Sequence, residues 1–197
     1  LKPIFLDTEF SGLHQSASLL SLALVPDEGL WFYAVFTEVD RDSLSPWHQE
    51  HVVPHLELTP AQLDQLGSGQ YHQGSKKEIV AALQNYLSTF EEVVIWADVP
   101  AYDWVLFCEL FGGALSLPKN IHYIVRDLAT LFEVKGFDVD TDRFAFAWGE
   151  AAGAGSISAD GRTEGQAAAK TAEGLLRHNA LGDAIAGMIC WRKMAKG

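Results

Sequence analysis

Cysteine is scarce in this 197-residue chain: Cys108 and Cys190 are the only two, and they form no CxxC spacing. That argues against a disulfide framework or a cysteine-built zinc site, and it reads as reduced packing thiols in the cytosol. Long apolar runs are missing too. The densest early stretch, residues 19–25, is far short of the roughly 18 residues a membrane span needs. Leu1-Lys2-Pro3 is followed by an acid as early as Asp7, with none of the pattern of a secretory leader. The expected setting is cytoplasmic, with no membrane partner.

Positive charge is also in short supply. Lys and Arg number 14 against 26 Asp and Glu, a formal net charge of −12. A protein that grips long duplexes through many phosphates should be basic, so the acidity argues against tight, extended duplex binding. An enzyme that holds a few nucleotides at an end needs only a local positive feature, which a divalent metal can supply. Neither HExxH nor a Walker A loop occurs, and Ser156 and Ser158 lack the flanking glycines of a nucleophile elbow. No internal repeat is visible. The 48% hydrophobic and 20% charged composition suits one ordinary globular domain over residues 1–197.

Period-2 patterning fills the N-terminal third. In residues 3–9, Ile4, Leu6 and Thr8 alternate with Phe5, Asp7 and Glu9. Apolar runs at 19–25 and 30–39 flank the turn signal Pro26-Asp27-Glu28-Gly29, so three strands in an antiparallel meander are expected. The period then changes. Ser75 and Glu78 make a capping-box pattern ahead of Ile79, Leu83, Leu87 and Phe90, which predicts a helix over 75–90. Residues 93–97 suit a buried strand, 102–111 a helix stopped by Gly112-Gly113, and 121–125 a fifth strand. Asp127 is placed to cap a helix over 128–135, and 180–194 reads as a closing helix. Residues 149–165 carry five glycines and read as a surface insertion. The fold class is α/β: a central mixed five-stranded sheet, meander first and parallel strands after, flanked by helices.

Candidate chemistry begins with Asp7 and Glu9. Two apart on a strand, their carboxylates leave one face about 6.5–7 Å apart along the chain. A divalent cation between them would remove their mutual repulsion; alone, the pair also suits a solvated strand end. Asp103 follows the buried strand near a helix start, where the helix dipole favours an acid and where α/β sheets place active sites. His178 and Asp183 are five apart, so on one continuous helix their side chains would diverge by about 140°. They converge only if the helix begins between them, and Asn179 is a good N-cap.

Asp7-Thr8-Glu9-Phe10-Ser11-Gly12-Leu13, then Asp103, then His178 with Asp183, resembles the DEDDh 3′→5′ exonucleases of the ribonuclease H-like superfamily. Trp47 with His51-Val52-Val53-Pro54, and the run from Trp96 to Asp103, are similar to the ribonuclease AS-type exoribonucleases of bacteria and phages. The resemblance implies a ribonuclease H-like fold and hydrolysis from the 3′ end of single-stranded RNA, or of DNA, to 5′-monophosphates. It implies two Mg²⁺ or Mn²⁺ ions, with Asp7 bridging, Glu9 and Asp183 completing one shell and Asp103 helping with the other. Hard all-oxygen ligands select those metals over zinc. His178 would take the proton of the attacking water. Phe10, Ser11, Gly12 and Leu13 would lie under the terminal bases, and a homodimer is expected, with Trp47, Trp104 and Trp191 as candidate interface residues. A catalytically silent nucleic-acid-binding module is the alternative of another class. His48, His51 and His55 do not make a zinc site, since Pro54 breaks the helix between them. Arg192, Lys193 and Lys196 read as a solvated helix end.

Overall fold

The alternation along the first strand decides the layering. Ile4 and Leu6 point into one apolar layer and Phe5 into the other, so the strand must be covered on both faces. The computed structural model describes residues 1–149 and 177–195. Within them, β1 (Lys2–Phe10), β2 (Leu19–Pro26) and β3 (Trp31–Phe36) form the antiparallel meander. Short helices α1 (Pro46–His51) and α2 (Pro60–Leu66) follow, then β4 (Gly69–Gly74) and α3 (Lys76–Leu87). Next come β5 (Val93–Ala97), α4 (Ala101–Leu110), β6 (Arg126–Asp127), α5 (Leu128–Val134), α6 (Arg143–Trp148) and α7 (Ala180–Ala195).

The sheet has six strands, not five, in the order β4-β3-β2-β1-β5-β6. The addition is β4, which pairs parallel to β3 at the sheet edge. Its sequence, Gly-Gln-Tyr-His-Gln-Gly, lacks an apolar pattern because an edge strand needs none. Gly69 is required there: a Cβ would fall 1.9 Å from the Trp31 ring. The strand expected over 121–125 is displaced. Ile121 makes an isolated bridge to Val93, and regular pairing resumes only at Arg126 and Asp127.

One face of the sheet is covered by α3 and α4 through Ile79, Leu83, Leu87, Leu106 and Leu110. The other is covered by α7, which lays Ala180, Leu181, Ala184, Ile185 and Met188 against Phe5, Ala23 and Val25. Fully burying each large aliphatic side chain contributes about 1.5–3 kcal/mol, so these two seams dominate cohesion. Ser75 and Glu78 form the expected capping box, and Asp127 caps α5 through the N–H groups of Ala129 and Thr130.

Two other expectations change. Trp104 and Trp191 are partly buried against the core, with Trp191 packed on Phe5 and Trp96, so only Trp47 of the three is exposed. The tail bases are not simply solvated: Arg192 binds Asp27 and Lys193 donates to the Phe146 carbonyl. Apart from Gly149, the glycine-rich stretch lies outside the described residues, as does Lys196. Among the described residues no helix is long and apolar enough to cross a membrane.

Candidate active site

β1 runs parallel to β5 only as far as Phe5 opposite Trp96, so its last residues project beyond the end of β5. That overhang carries Asp7 and Glu9, on the face covered by α7. Ladder pairing with β2 shifts between Glu9 and Phe10, the kind of irregularity that re-aims side chains beside functional sites. Beyond the end of β5 the chain enters α4, whose first turn brings Asp103 against Thr8 in that overhang. Its Oδ1 accepts from the Thr8 N–H at 3.0 Å and the Thr8 hydroxyl at 2.7 Å. Asp103 thus satisfies a strand N–H that β5 is too short to reach.

Asp183 comes from the first turn of α7. Asn179 caps that helix, its Oδ1 accepting from Leu181 N at 3.1 Å and Gly182 N at 3.3 Å. His178 therefore stands outside the helix, with its backbone at φ +58°. One carboxylate oxygen each of Asp7, Glu9 and Asp183 lie within 4.8 Å of one another. Asp103 stands next to them but is anchored to Thr8, on the opposite side of β1.

The electrostatics of this cluster are adverse. Burial, then Asp183, Asp103, Glu9 and Asp98 in turn, hold the Asp7 carboxyl well above the usual carboxylate range. Burial first and its acidic neighbours next push Glu9 up to about 8. Burial raises Asp183 to about 7, opposed by the N–H groups of His178 and Asn179 and by Arg177. Among the described residues no lysine or arginine forms an ion pair with Asp7, Glu9 or Asp183. Three crowded carboxylates that resist ionisation are the donor set a hard divalent cation fits, since the ion supplies the missing charge. A small cavity of about 20 Å³ touches Asp7, Asp98 and Asp183 but is lined mainly by apolar groups, among them Phe5, Leu6, Trp96, Leu128 and Ala184.

A model of the 3′-5′ exoribonuclease Rv2179c-like domain family matches residues 2–195. The chain belongs to that family. It is also 32% identical over 134 residues to the 3′-5′ exoribonuclease Rv2179c of Mycobacterium tuberculosis strain H37Rv, covering 67% of this chain and 74% of that protein. The same figures hold for its counterpart in strain CDC 1551. Membership and the acidic triad together make this chain a metal-dependent 3′→5′ exoribonuclease.

Around the triad the structure adds groups whose proximity the sequence hides. Trp47, 48% exposed, meets the His178 ring edge to face at 5.2 Å and stacks on His51 at 5.1 Å. Burial, then His51, Arg177 and His55, lower the His178 pKa, which favours the neutral, proton-accepting imidazole. His48 bridges the Ser45 hydroxyl at 2.7 Å and the Phe10 carbonyl at 3.0 Å, tying α1 to the end of β1. A carbonyl can only accept, so the His48 Nε2 carries the proton. Asp98, at the rim, is committed to Arg143 through two hydrogen bonds of 2.9 and 3.0 Å. Of the expected substrate residues, Leu13 is 74% exposed, Ser11 Oγ accepts from Ser18 N, and Phe10 packs against Tyr102.

Proposed function

We propose that this domain trims single-stranded RNA from the 3′ end to nucleoside 5′-monophosphates by a two-metal hydrolysis, in the cytoplasm and as a homodimer. Asp7 would bridge two Mg²⁺ or Mn²⁺ ions, Glu9 and Asp183 would complete one shell, and Asp103 would help hold the other. When bound, such a pair stabilises the attacking and leaving oxygens of an in-line displacement at phosphorus. The observation that carries the reading is the convergence of Asp7, Glu9 and Asp183 oxygens within 4.8 Å at the open end of β1.

His178 accepts a proton from the attacking water on a ring nitrogen, a role suited to an imidazole kept neutral. The water oxygen bonds to the terminal phosphorus, and the bond to the O3′ of the preceding nucleotide breaks. Exposed Leu13 and the Phe10-Ser11-Gly12 segment would contact the terminal bases, and half-exposed Trp47, beside the His178 ring, offers a further aromatic surface. Apolar and aromatic contacts of this kind hold single strands without reading sequence. The −12 charge fits a short grip at an end, and two buried unpaired thiols fit a reducing compartment.

The test is release of mononucleotides from 5′-labelled single-stranded RNA, matched DNA and duplex RNA, with Mg²⁺ or with EDTA. A 3′-shortening ladder on RNA that EDTA abolishes is expected. Equal or faster trimming of DNA would reassign the substrate, and no release with any metal would leave a silent binding module.

A further inference from the structure

His178 holds a left-handed backbone, φ +58°, that costs any residue with a Cβ and persists only where its neighbours impose it. Both neighbours are held. On one side Asn179 is buried, and its Nδ2 donates to the Tyr33 hydroxyl at 3.0 Å and to the His55 carbonyl. On the other side Arg177 clasps Asp142 with two nitrogens, Nη1 to Oδ2 at 2.7 Å and Nη2 to Oδ1 at 3.0 Å. The same guanidinium lies 4.9 Å from the centre of the Phe144 ring.

Asp142 is itself immobilised. It caps α6, accepting from Ala145 N at 2.7 Å. The next residue, Arg143, sits over the Phe132 ring at 4.1 Å, binds Asp98 and donates to the Val139 carbonyl. A continuous relay therefore runs from the end of β5, through Asp98, Arg143, Asp142 and Arg177, to His178. Arg177 and Asp142 side chains are 57% and 43% exposed, and an exposed ion pair adds little to global stability. What a forked, two-bond contact over a ring does supply is direction.

We propose that Arg177 is a positioning residue for the hydrolysis: clasped by Asp142 on α6, it holds His178 in place at the rim of the carboxylate cluster. The inference rests on the reading of His178 as the proton acceptor. A competing role for Arg177 is direct contact with an RNA phosphate, since its side chain is 57% exposed next to His178.

Steady-state kinetics of the full chain on a 5′-labelled single-stranded RNA oligonucleotide with Mg²⁺ separate the two. Asp142→Asn keeps a good helix cap and removes only the charge. Asp142→Asn and Arg177→Ala should each lower kcat about threefold to tenfold with KM nearly unchanged. The double variant should be no worse than the weaker single one, because the two act as a unit. Arg177→Lys should recover part of the loss. In a His178→Ala background neither change should lower kcat further. A raised KM in Arg177→Ala with a silent Asp142→Asn would assign the arginine to phosphate and overturn the proposal. An undiminished loss in the His178→Ala background would overturn it as well. Wild-type activity in His178→Ala alone would instead remove the proton-acceptor reading, visible without touching Arg177. Should Arg177→Ala fail to fold, Asp142→Asn decides the matter alone.

Discussion

Asp7, near the end of the first strand, and Asp183, in the first turn of the last helix, bring carboxylate oxygens within 4.8 Å of each other. The contact joins the two ends of the described chain and is electrostatically unfavourable as it stands. Glu9 and Asp183 are pushed up to about 8 and about 7 from ordinary values of 4.5 and 3.8. A carboxyl whose folded pKa exceeds its unfolded one stabilises the fold while protonated. That contribution is complete below about pH 4 and is lost as pH rises through the folded values. Metal-free protein should therefore lose thermal stability between about pH 5 and pH 8. Added Mg²⁺ should raise Tm more at pH 8 than at pH 5.5, since the ion replaces the lost protons. Differential scanning calorimetry in EDTA and in Mg²⁺ checks both, and a metal effect independent of pH would contradict the electrostatic account.

Neutralising one member of the cluster should separate activity from stability. Asp183→Asn is expected to lower kcat by at least about 10²-fold, because the ion that would stabilise the transition state's negative charge is held less well. The same variant, free of metal at pH 8, should melt above the wild type, having one repulsive carboxylate fewer. A drop in both quantities would mean that Asp183 acts structurally.

His178 should behave differently. His178→Ala is expected to slow turnover by about 10²-fold or more through loss of the proton acceptor. Its Mg²⁺-dependent gain in Tm should match the wild type, because no ligand is removed. Unchanged turnover would assign the proton to another group.

Trp47 offers a fourth test. Stacking on a nucleobase is worth about 1–3 kcal/mol, so Trp47→Ala should raise KM for RNA about fivefold or more, and Trp47→Phe should recover much of it. A fall in kcat with KM unchanged would mean that Trp47 acts only as packing for the His178 ring.

Local signals make the clustered carboxylates Asp7, Glu9 and Asp183 legible in the sequence. Period-2 alternation put Asp7 and Glu9 on one face of β1, and the capping chemistry of Asn179 separated His178 from the helix that carries Asp183. What depends on distant packing stayed hidden. Trp47 reads as an interface candidate in sequence because nothing local reveals the His178 ring beside it. β4 was invisible for want of apolar residues. Short helices α1 and α2 did carry signals, Ser45-Pro46 and Thr59-Pro60 with Gln62, but six or seven residues show no clear period. The apolar run over 121–125 is not a regular strand: Ile121 alone bridges Val93, Tyr123 and Ile124 are exposed, and regular pairing waits for Arg126.

Calorimetric titration of Mn²⁺ into the wild-type chain and into Asp7→Asn counts the ions that the carboxylate cluster holds. Two ions bound by the wild type, and neither bound tightly once Asp7 is neutralised, is the outcome the account predicts. Equal binding by both proteins, or none by the wild type, would contradict it.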